Sequence, residues 1–376
     1  MHRHLIAFAD APEPDLITPA LDQRFKIRNV TLLADATHIE RANYMASVCR
    51  EANLHTSVMP IPHGWHPEPI RVRLKEIIAG GELPYVFNLS GANPIHSAIA
   101  HEVALGHQVP AFVVNPSSDQ IHWLAHPPHD LPSDDGNVED RLTLESYFAV
   151  YGIGIVSCSR RLHRPKAQMD AAADVLAHLS VDHPELINKL NGVCSLLTAE
   201  HETRLPIPNE PALISALRAT GLCQILPDLR LRLDQFDARQ FLGGGWFEWW
   251  LLRQVETLVG DLPIQDAAAS VRVSLPNGVS NEFDVVILCN NHLYVIEAKT
   301  INAGMADKGV GLTTLFKLDS VSGLGGMRAE AMLASLSLPT LREASRAQAQ
   351  EIAIVAGDEL TSVQARLRDW LTQTES

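Results

Sequence analysis

The stretch N281-EFDVVILCNNHLYVIEAK-T300 decides how the C-terminal part of this chain folds. Two β-rich runs flank Asn290-Asn291, and Asn tolerates the positive φ that a two-residue hairpin turn requires. With that turn as register, Cys289 pairs with His292, Asp284 falls opposite Glu297 and Glu282 opposite Lys299. Strand side chains alternate faces with a period of two, so these four charged residues are expected on one face. Val286, Leu288, Leu293 and Val295 continue that face toward the turn. Phe283, Val285, Ile287, Tyr294 and Ile296 make the other. A hairpin apolar on both faces is buried on both, so a charged end calls for a reason.

Two carboxylates set opposite each other repel. A divalent cation between them turns repulsion into binding, and Mg²⁺ or Mn²⁺ favours such oxygen ligands. Asp284 and Glu297 are therefore candidate metal ligands, with the Ala298 carbonyl as a further one. Lys299, one step from Glu297 on the same face, is placed to orient a water or to neutralise developing phosphate charge. Upstream, FLGGGWFEWWLLRQVETL (241–258) reads as a glycine turn followed by a helix that carries Glu248. The plainer alternative is a surface ribbon with a Glu282–Lys299 salt bridge and unrelated acids.

Around this hairpin, SVRVSL (270–275), AMLASLS (331–337) and EIAIVAG (351–357) read as further strands. Helices are expected near 315–322, at 341–350 and at the C-terminal end. The first ~120 residues behave differently. Strand-like runs at 4–10, 30–35, 56–61, 85–90 and 111–115 alternate with helix candidates at Pro14–Phe25, His38–Ala52, Glu68–Ala79 and Pro94–Leu105. That pattern predicts a parallel sheet with helices on both faces. Residues 116–140 read as an irregular or hairpin extension, followed by a helix near Leu142–Tyr151. Residues 165–203 read as helical. A short helix at 211–222 and a ribbon at 223–234 suggest a small winged-helix-like connector. The expected fold class is α/β, divided into a Rossmann-like domain (1–150), the helical connector (151–236) and a C-terminal α/β domain (237–376).

Composition sets the outer bounds. The 376 residues are 46% hydrophobic and 20% charged, as in a folded globular protein. The five cysteines are scattered, which argues against a disulfide framework and for a cytoplasmic location. No apolar run reaches the ~20 residues of a membrane span. The formal charge of −14 argues against a broad DNA-coating surface, yet leaves a nuclease open because bound cations reverse the local sign. His122, His126 and His129 lie in a Pro-rich segment and read as a solvated loop rather than a zinc site. Trp246, Trp249 and Trp250 read as packing residues.

Residues 241–300 resemble the PD-(D/E)xK nuclease superfamily, with Asp284, then Glu297-Ala298-Lys299, and Glu248 on the preceding helix. FLGGGWFEWW, the hairpin, and TLFKLDSVSGLGGMRA together resemble the nuclease domain of CRISPR-associated Rossmann-fold (CARF) sensor-effector nucleases. Lys317 matches that group's extra basic position. The resemblance implies a restriction-endonuclease-like domain that binds Mg²⁺ or Mn²⁺ at Asp284, Glu297, Ala298 and Glu248. It implies cleavage of single-stranded RNA or DNA and nicking of supercoiled DNA in type III CRISPR antiviral defence. Glu282 is expected to support Lys299.

In that family the N-terminal domain of a homodimer binds a cyclic oligoadenylate, and binding licenses the nuclease. Matching positions are Asp10, Ala11 and Pro12 after the first strand, and Asn88, Ser90, Gly91, Ala92, Asn93, Pro94 and His96 in FNLSGANPIH. The second stretch supports this independently. Asn93 is a good N-cap, Pro94 suits the first helical position, Gly91 permits close approach, and a helix N-terminus attracts phosphate. His96 is expected on the helix surface. Relatives often carry Thr-Gly-Gly-Thr-Lys here, and this chain lacks the lysine, which leaves ring size open with cyclic tetra-adenylate the expected activator. Two alternatives stand beside this reading: a catalytically silent nucleotide-binding module, and an enzyme that degrades the cyclic nucleotide in its own sensor pocket.

Overall fold

The structure is a computed structural model. It describes residues 1–372 except 12, 63–65, 82, 134–135, 163, 165, 234–235 and 301–328. Pro12, Lys317 and the helix expected at 315–322 lie outside the described residues.

The N-terminal sheet is built from β1 (Arg3–Phe8), β2 (Ile27–Ala34), β3 (His55–Pro60), β4 (Tyr85–Asn88), β5 (Ala111–Val114) and β6 (Ile121–Ala125). Its order is β3-β2-β1-β4-β5-β6, with β1 to β5 parallel and β6 antiparallel. Helices α1 (Ile39–Glu51), α2 (Pro67–Gly80) and α3 (Pro94–His107) form the crossovers. The strand order reverses direction between β1 and β4, so the loops after those two strands diverge and leave a crevice. The helix expected over Pro14–Phe25 is instead three short turns, Pro14–Leu16, Thr18–Leu21 and Gln23–Phe25. Pro14 and Pro19 cannot supply interior helical N–H groups, and Asp22 caps the last turn by accepting the Arg24 N–H at 2.9 Å.

The C-terminal sheet runs β15 (Ala353–Ala356), β14 (Ala329–Ser335), β13 (His292–Lys299), β12 (Ser280–Cys289), β11 (Ile264–Ser274) and β7 (Gly154–Ser157), with β8 (Arg160–Arg161) also on β11. β11, β12 and β13 form an antiparallel meander; β13, β14 and β15 are parallel. Residues 151–236, read as a connector, thus lend β7 and β8 to this sheet. Their helices α5 (Ala167–Asp182), α6 (Pro184–Cys194) and α7 (Pro211–Thr220) share one apolar core with α8 (Trp246–Glu256) and α10 (Val363–Thr372). The ribbon β9 (Gln224–Ile225) and β10 (Leu231–Arg232) follows α7. α4 (Leu144–Val150) and α9 (Leu341–Ala349) complete the named helices.

The two sheets are joined by a continuous core. Val271, Phe283, Val286, Leu288, Leu293 and Val295 pack with Phe148 of α4 and with the underside of the N-terminal sheet. The rings of Phe148 and Phe283 lie 5.7 Å apart. Apolar burial across this junction, at ~25 cal/mol per Å², fixes the two domains against each other.

Candidate functional site: a carboxylate cluster and a crevice at the strand ends

The Asn290-Asn291 turn forms as the sequence predicts. Both residues have positive φ, 51° and 56°, and the ladder pairs Cys289 with His292 through to Val285 with Ile296. It stops there, one pair before Asp284. The Asp284 carboxylate accepts the Ala298 backbone N–H at 2.7 Å, which takes the donor that a regular ladder would use. Strand alternation turns the Ala298 carbonyl toward that same side.

The strict two-residue alternation also fails at Asp284. Ala269, Val285 and Ile287 pack into the core beneath α8, whereas Val271 and Phe283 pack into the core shared with the first domain. Phe283 therefore does not share a face with Val285. The slip falls at Ser270 and Asp284, which lie between the pairs Ala269–Val285 and Val271–Phe283. Ser270 has φ of +50°, a conformation that reverses the pleat locally.

That slip brings the sheet to α8. Ser270 Oγ donates to Glu248 Oε2 at 2.6 Å. Burial pushes the Glu248 carboxyl up to about 8, and the charges of Asp284, Glu282 and Glu297 add to the shift while the Ser270 hydrogen bond opposes it. Gly244, at φ +137°, bends the chain into α8, and a Cβ there would stand 3.3 Å from Thr300 Oγ1. Glycine at this point lets the start of the helix close on the end of β13.

Glu297 is 3% exposed, and Lys299 Nζ donates to its Oε1 at 2.6 Å. The expected Glu282–Lys299 contact is replaced. Glu282 sits opposite Arg272 on β11 and accepts from its Nη2 at 3.3 Å, because the β12–β13 ladder has already opened. The chemistry of the donor set fits a divalent cation: crowded carboxylates raise one another's proton affinity until a proton or a cation is shared among them. Among the described residues, no three His, Cys, Asp or Glu side chains are close enough to surround one ion. Asp284, Glu297 and the Ala298 carbonyl, with Glu248, are the groups that would hold it. The tryptophans of α8 are mainly packing residues. Trp246 and Trp249 are 0% and 4% exposed, and only Trp250 is partly exposed.

At the other site, the crevice between β1 and β4 is a cavity of about 220 Å³ whose walls are the loop after β1, with Asp10, Glu13 and Asp15, the Ser90–Asn93 turn, and Val114 and Pro116. Asn93 caps α3 through its side chain, and its own N–H donates to Asp10 Oδ2 at 2.7 Å. Asn88 is fully buried and ties β4 to the loop after β1, donating to the Asp15 carbonyl at 2.6 Å and accepting from Ser90 Oγ at 2.6 Å. His96 is not on the helix surface. It is 3% exposed, stacked on Phe8, with Nδ1 at 2.7 Å from Asp10 Oδ2, because Phe8 and Asp10 bracket that side of α3. Pro94 opens α3 as expected.

Sequence reasoning missed the link between the two sites. Pro116, a wall of the crevice, accepts from His292 Nε2 at 2.7 Å, and Asn291 Nδ2 donates to the buried Asp119 at 2.9 Å. The turn that starts β13 thus rests on a loop of the N-terminal domain, while the other end of β13 carries Glu297 and Lys299.

A Rossmann-like domain fused to a second α/β domain with an acidic centre defines the class, and comparison identifies the second domain. Residues 235–374 match the family model described as the Card1-like endonuclease domain. Protein VC1899 from Vibrio cholerae superposes with a TM-score of 0.85 at 26% identity, over 99% of this chain and 98% of that one. Can2 from Sulfobacillus thermosulfidooxidans, solved in complex with cyclic tetra-adenylate, gives 0.77 at 21% identity over 98% and 97%. A type III CRISPR defence DNA nuclease activated by cyclic oligoadenylate gives 0.54 at 16% identity, covering 88% of this chain and 45% of that one. The last two likenesses show the fold. No curated protein matches the chain by sequence. No helix among the described residues is long and apolar enough to cross a membrane.

Proposed function

We propose that this chain is a divalent-metal-dependent nuclease of type III CRISPR defence, switched on by a cyclic oligoadenylate bound in the N-terminal crevice. The observation that carries the catalytic half is the buried Glu248 carboxyl, pushed up to about 8 by burial first and then by the charges of Asp284, Glu282 and Glu297, in a stretch that matches an endonuclease-domain model. Bound Mg²⁺ or Mn²⁺ supplies charge neutralisation at the phosphodiester and a more acidic water. The protein supplies the rest. Ser270 and the Ala298 N–H hold Glu248 and Asp284 in place. Glu297 holds the Lys299 ammonium at 2.6 Å, which keeps a cation where negative charge develops on phosphorus oxygens. Burial of Glu297 strengthens that orientation by excluding water.

The crevice supports activation. It lies at the topological switch point, has a capped helix N-terminus and a glycine whose Cβ would strike Leu16 at 2.6 Å, and its wall rests on the turn of β13. Can2, with the same fold, holds cyclic tetra-adenylate. Cleavage of the ring within the crevice has weaker support, since His96 is buried and engaged by Asp10 and Asn93. The working form is proposed as a cytoplasmic homodimer, with Lys317 as a further basic group of the nuclease site.

The test is cleavage of single-stranded RNA, single-stranded DNA and supercoiled plasmid with Mn²⁺, each with and without cyclic tetra-adenylate, alongside Lys299→Ala. Cleavage that needs both the ligand and Lys299 supports the proposal. Cleavage without ligand removes the activation half. Absence of cleavage with every ring size and metal favours the silent binding module.

A further inference from the structure

A second cleft, of about 260 Å³, opens at the N-terminal end of α8. Ser270, the residue that holds Glu248, forms part of its wall. Ser159 and Lys166, from the segment between the two domains, form another part, and Gln240 and Asp237, just before α8, a third.

Lys166 is the one cation among the cleft's described lining residues. Of the nearby arginines, Arg160 pairs with Asp170 and Glu256, Arg161 with Glu145 and Asp266, and Arg253 with Asp174. Among the described residues, Lys166 has no carboxylate partner. Its ammonium is exposed and stands 5.3 Å over the ring of Trp249, whose indole N–H is spent on Asp170 at 2.7 Å. In a chain of net charge −14, a lysine that lines a cleft and has no carboxylate partner among the described residues suits an anionic ligand. The cleft volume is below the ~300 Å³ at which drug-sized pockets begin, which suits one nucleotide unit.

We propose that this cleft receives the nucleotide adjoining the scissile phosphate of a single strand, with Lys166 holding its phosphate and Gln240 and Asp237 facing its base edge. This rests on the nuclease reading above. The interdomain segment then serves as a wall of the substrate site as well as a link, and binding polarity along the strand is set by the one free cation among the cleft's described residues.

The experiment measures cleavage of labelled single-stranded DNA and RNA by wild type, Lys166→Ala, Lys166→Arg and Gln240→Trp, over a range of salt. Lys166→Ala is expected to raise KM about tenfold, the worth of one charge-assisted contact, with kcat kept. The salt slope should fall by about one phosphate contact. Lys166→Arg should restore binding, and Gln240→Trp should raise KM by filling the cleft. Cys158 also lines the cleft and gives a readout apart from turnover: a single strand should slow its alkylation, scored by peptide mass, and leave Cys223 unaffected. Unchanged KM and salt slope in Lys166→Ala, with Cys158 unprotected, overturns the cleft while leaving the nuclease standing. A wild type that cuts no nucleic acid overturns the nuclease reading and the cleft with it.

Discussion

The Asp284 carboxylate accepts the backbone N–H of Ala298 at 2.7 Å, across the point where β12 and β13 stop pairing. A side chain has replaced a ladder bond, so the strands part at Asp284. The Glu297–Lys299 pair and Glu248 occupy the margins of that opening, and the predictions below follow from how each is held.

Lys299→Ala should reduce metal-dependent cleavage by ~10²–10³, the usual loss for one preorganised charge-stabilising group. It also strands the Glu297 carboxylate, 4% exposed at its side chain, so a loss of ~1–3 kcal/mol in stability is expected with it. Lys299→Arg should recover the stability without recovering the full rate, since a planar fork cannot place its charge as the ammonium does. Paired thermal melts and single-turnover rates separate the two effects.

Glu248 gives the metal-free protein a distinctive pH response. Its carboxyl is raised to about 8, so the folded protein holds a proton that the unfolded chain has released above its ordinary value of 4.5. Unfolding therefore releases a proton between those limits, and the stabilising contribution is full below ~pH 4.5 and is lost as pH rises toward about 8. Asp119 and Asp140, each raised to about 6 mainly by burial, act in the same direction over a narrower window. Melting temperature without metal should fall from pH 5 to pH 8, and Mn²⁺ should flatten the fall. Glu248→Gln should remove much of the slope. A melting temperature that rises over this range without metal would contradict the assignment.

Ser270→Ala removes the hydrogen bond that opposes the upward shift of Glu248, at a cost of ~0.5–1.5 kcal/mol. Metal should then bind more weakly near neutral pH and recover at higher pH. Ser270→Gly relieves the positive φ and should be the more stable of the two variants, although it lacks the same hydroxyl. Calorimetric titration with Mn²⁺ at two pH values tests both.

Gly91→Ala places a methyl within 2.6–2.8 Å of the fully buried Leu16 side chain, which must shift to admit it. A destabilisation of ~1–3 kcal/mol is expected, together with weakened binding of cyclic tetra-adenylate. Equilibrium dialysis against the ligand, on protein shown to be folded, provides the check.

His292→Ala and Asn291→Ala cut the two hydrogen bonds from the β13 turn to the Pro116–Asp119 loop. If ligand binding acts on the nuclease through this contact, both variants should bind cyclic tetra-adenylate as wild type does and lose much of the ligand's effect on rate. Equal stimulation in wild type and both variants would place the coupling elsewhere.

Local rules made much of this molecule legible in its sequence. The Asn-Asn turn fixed the hairpin register, because only two consecutive positive-φ residues join these strands so tightly. The alternation of short apolar runs with helices announced the parallel sheet, and Asn93-Pro94 announced the start of α3. Three features were decided only by tertiary contact. The pleat slip at Ser270 and Asp284 depends on two strands distorting together, and no single strand's pattern encodes it. The burial of His96 follows from the packing of Phe8 and Asp10 against α3, elements more than eighty residues apart in sequence. The approach of Glu248 to the hairpin, and of Lys166 to the cleft beside it, comes from α8 and the interdomain segment docking on one sheet. Side-chain periodicity reports what a segment buries, while charge proximity across segments exists only after the core has brought them together.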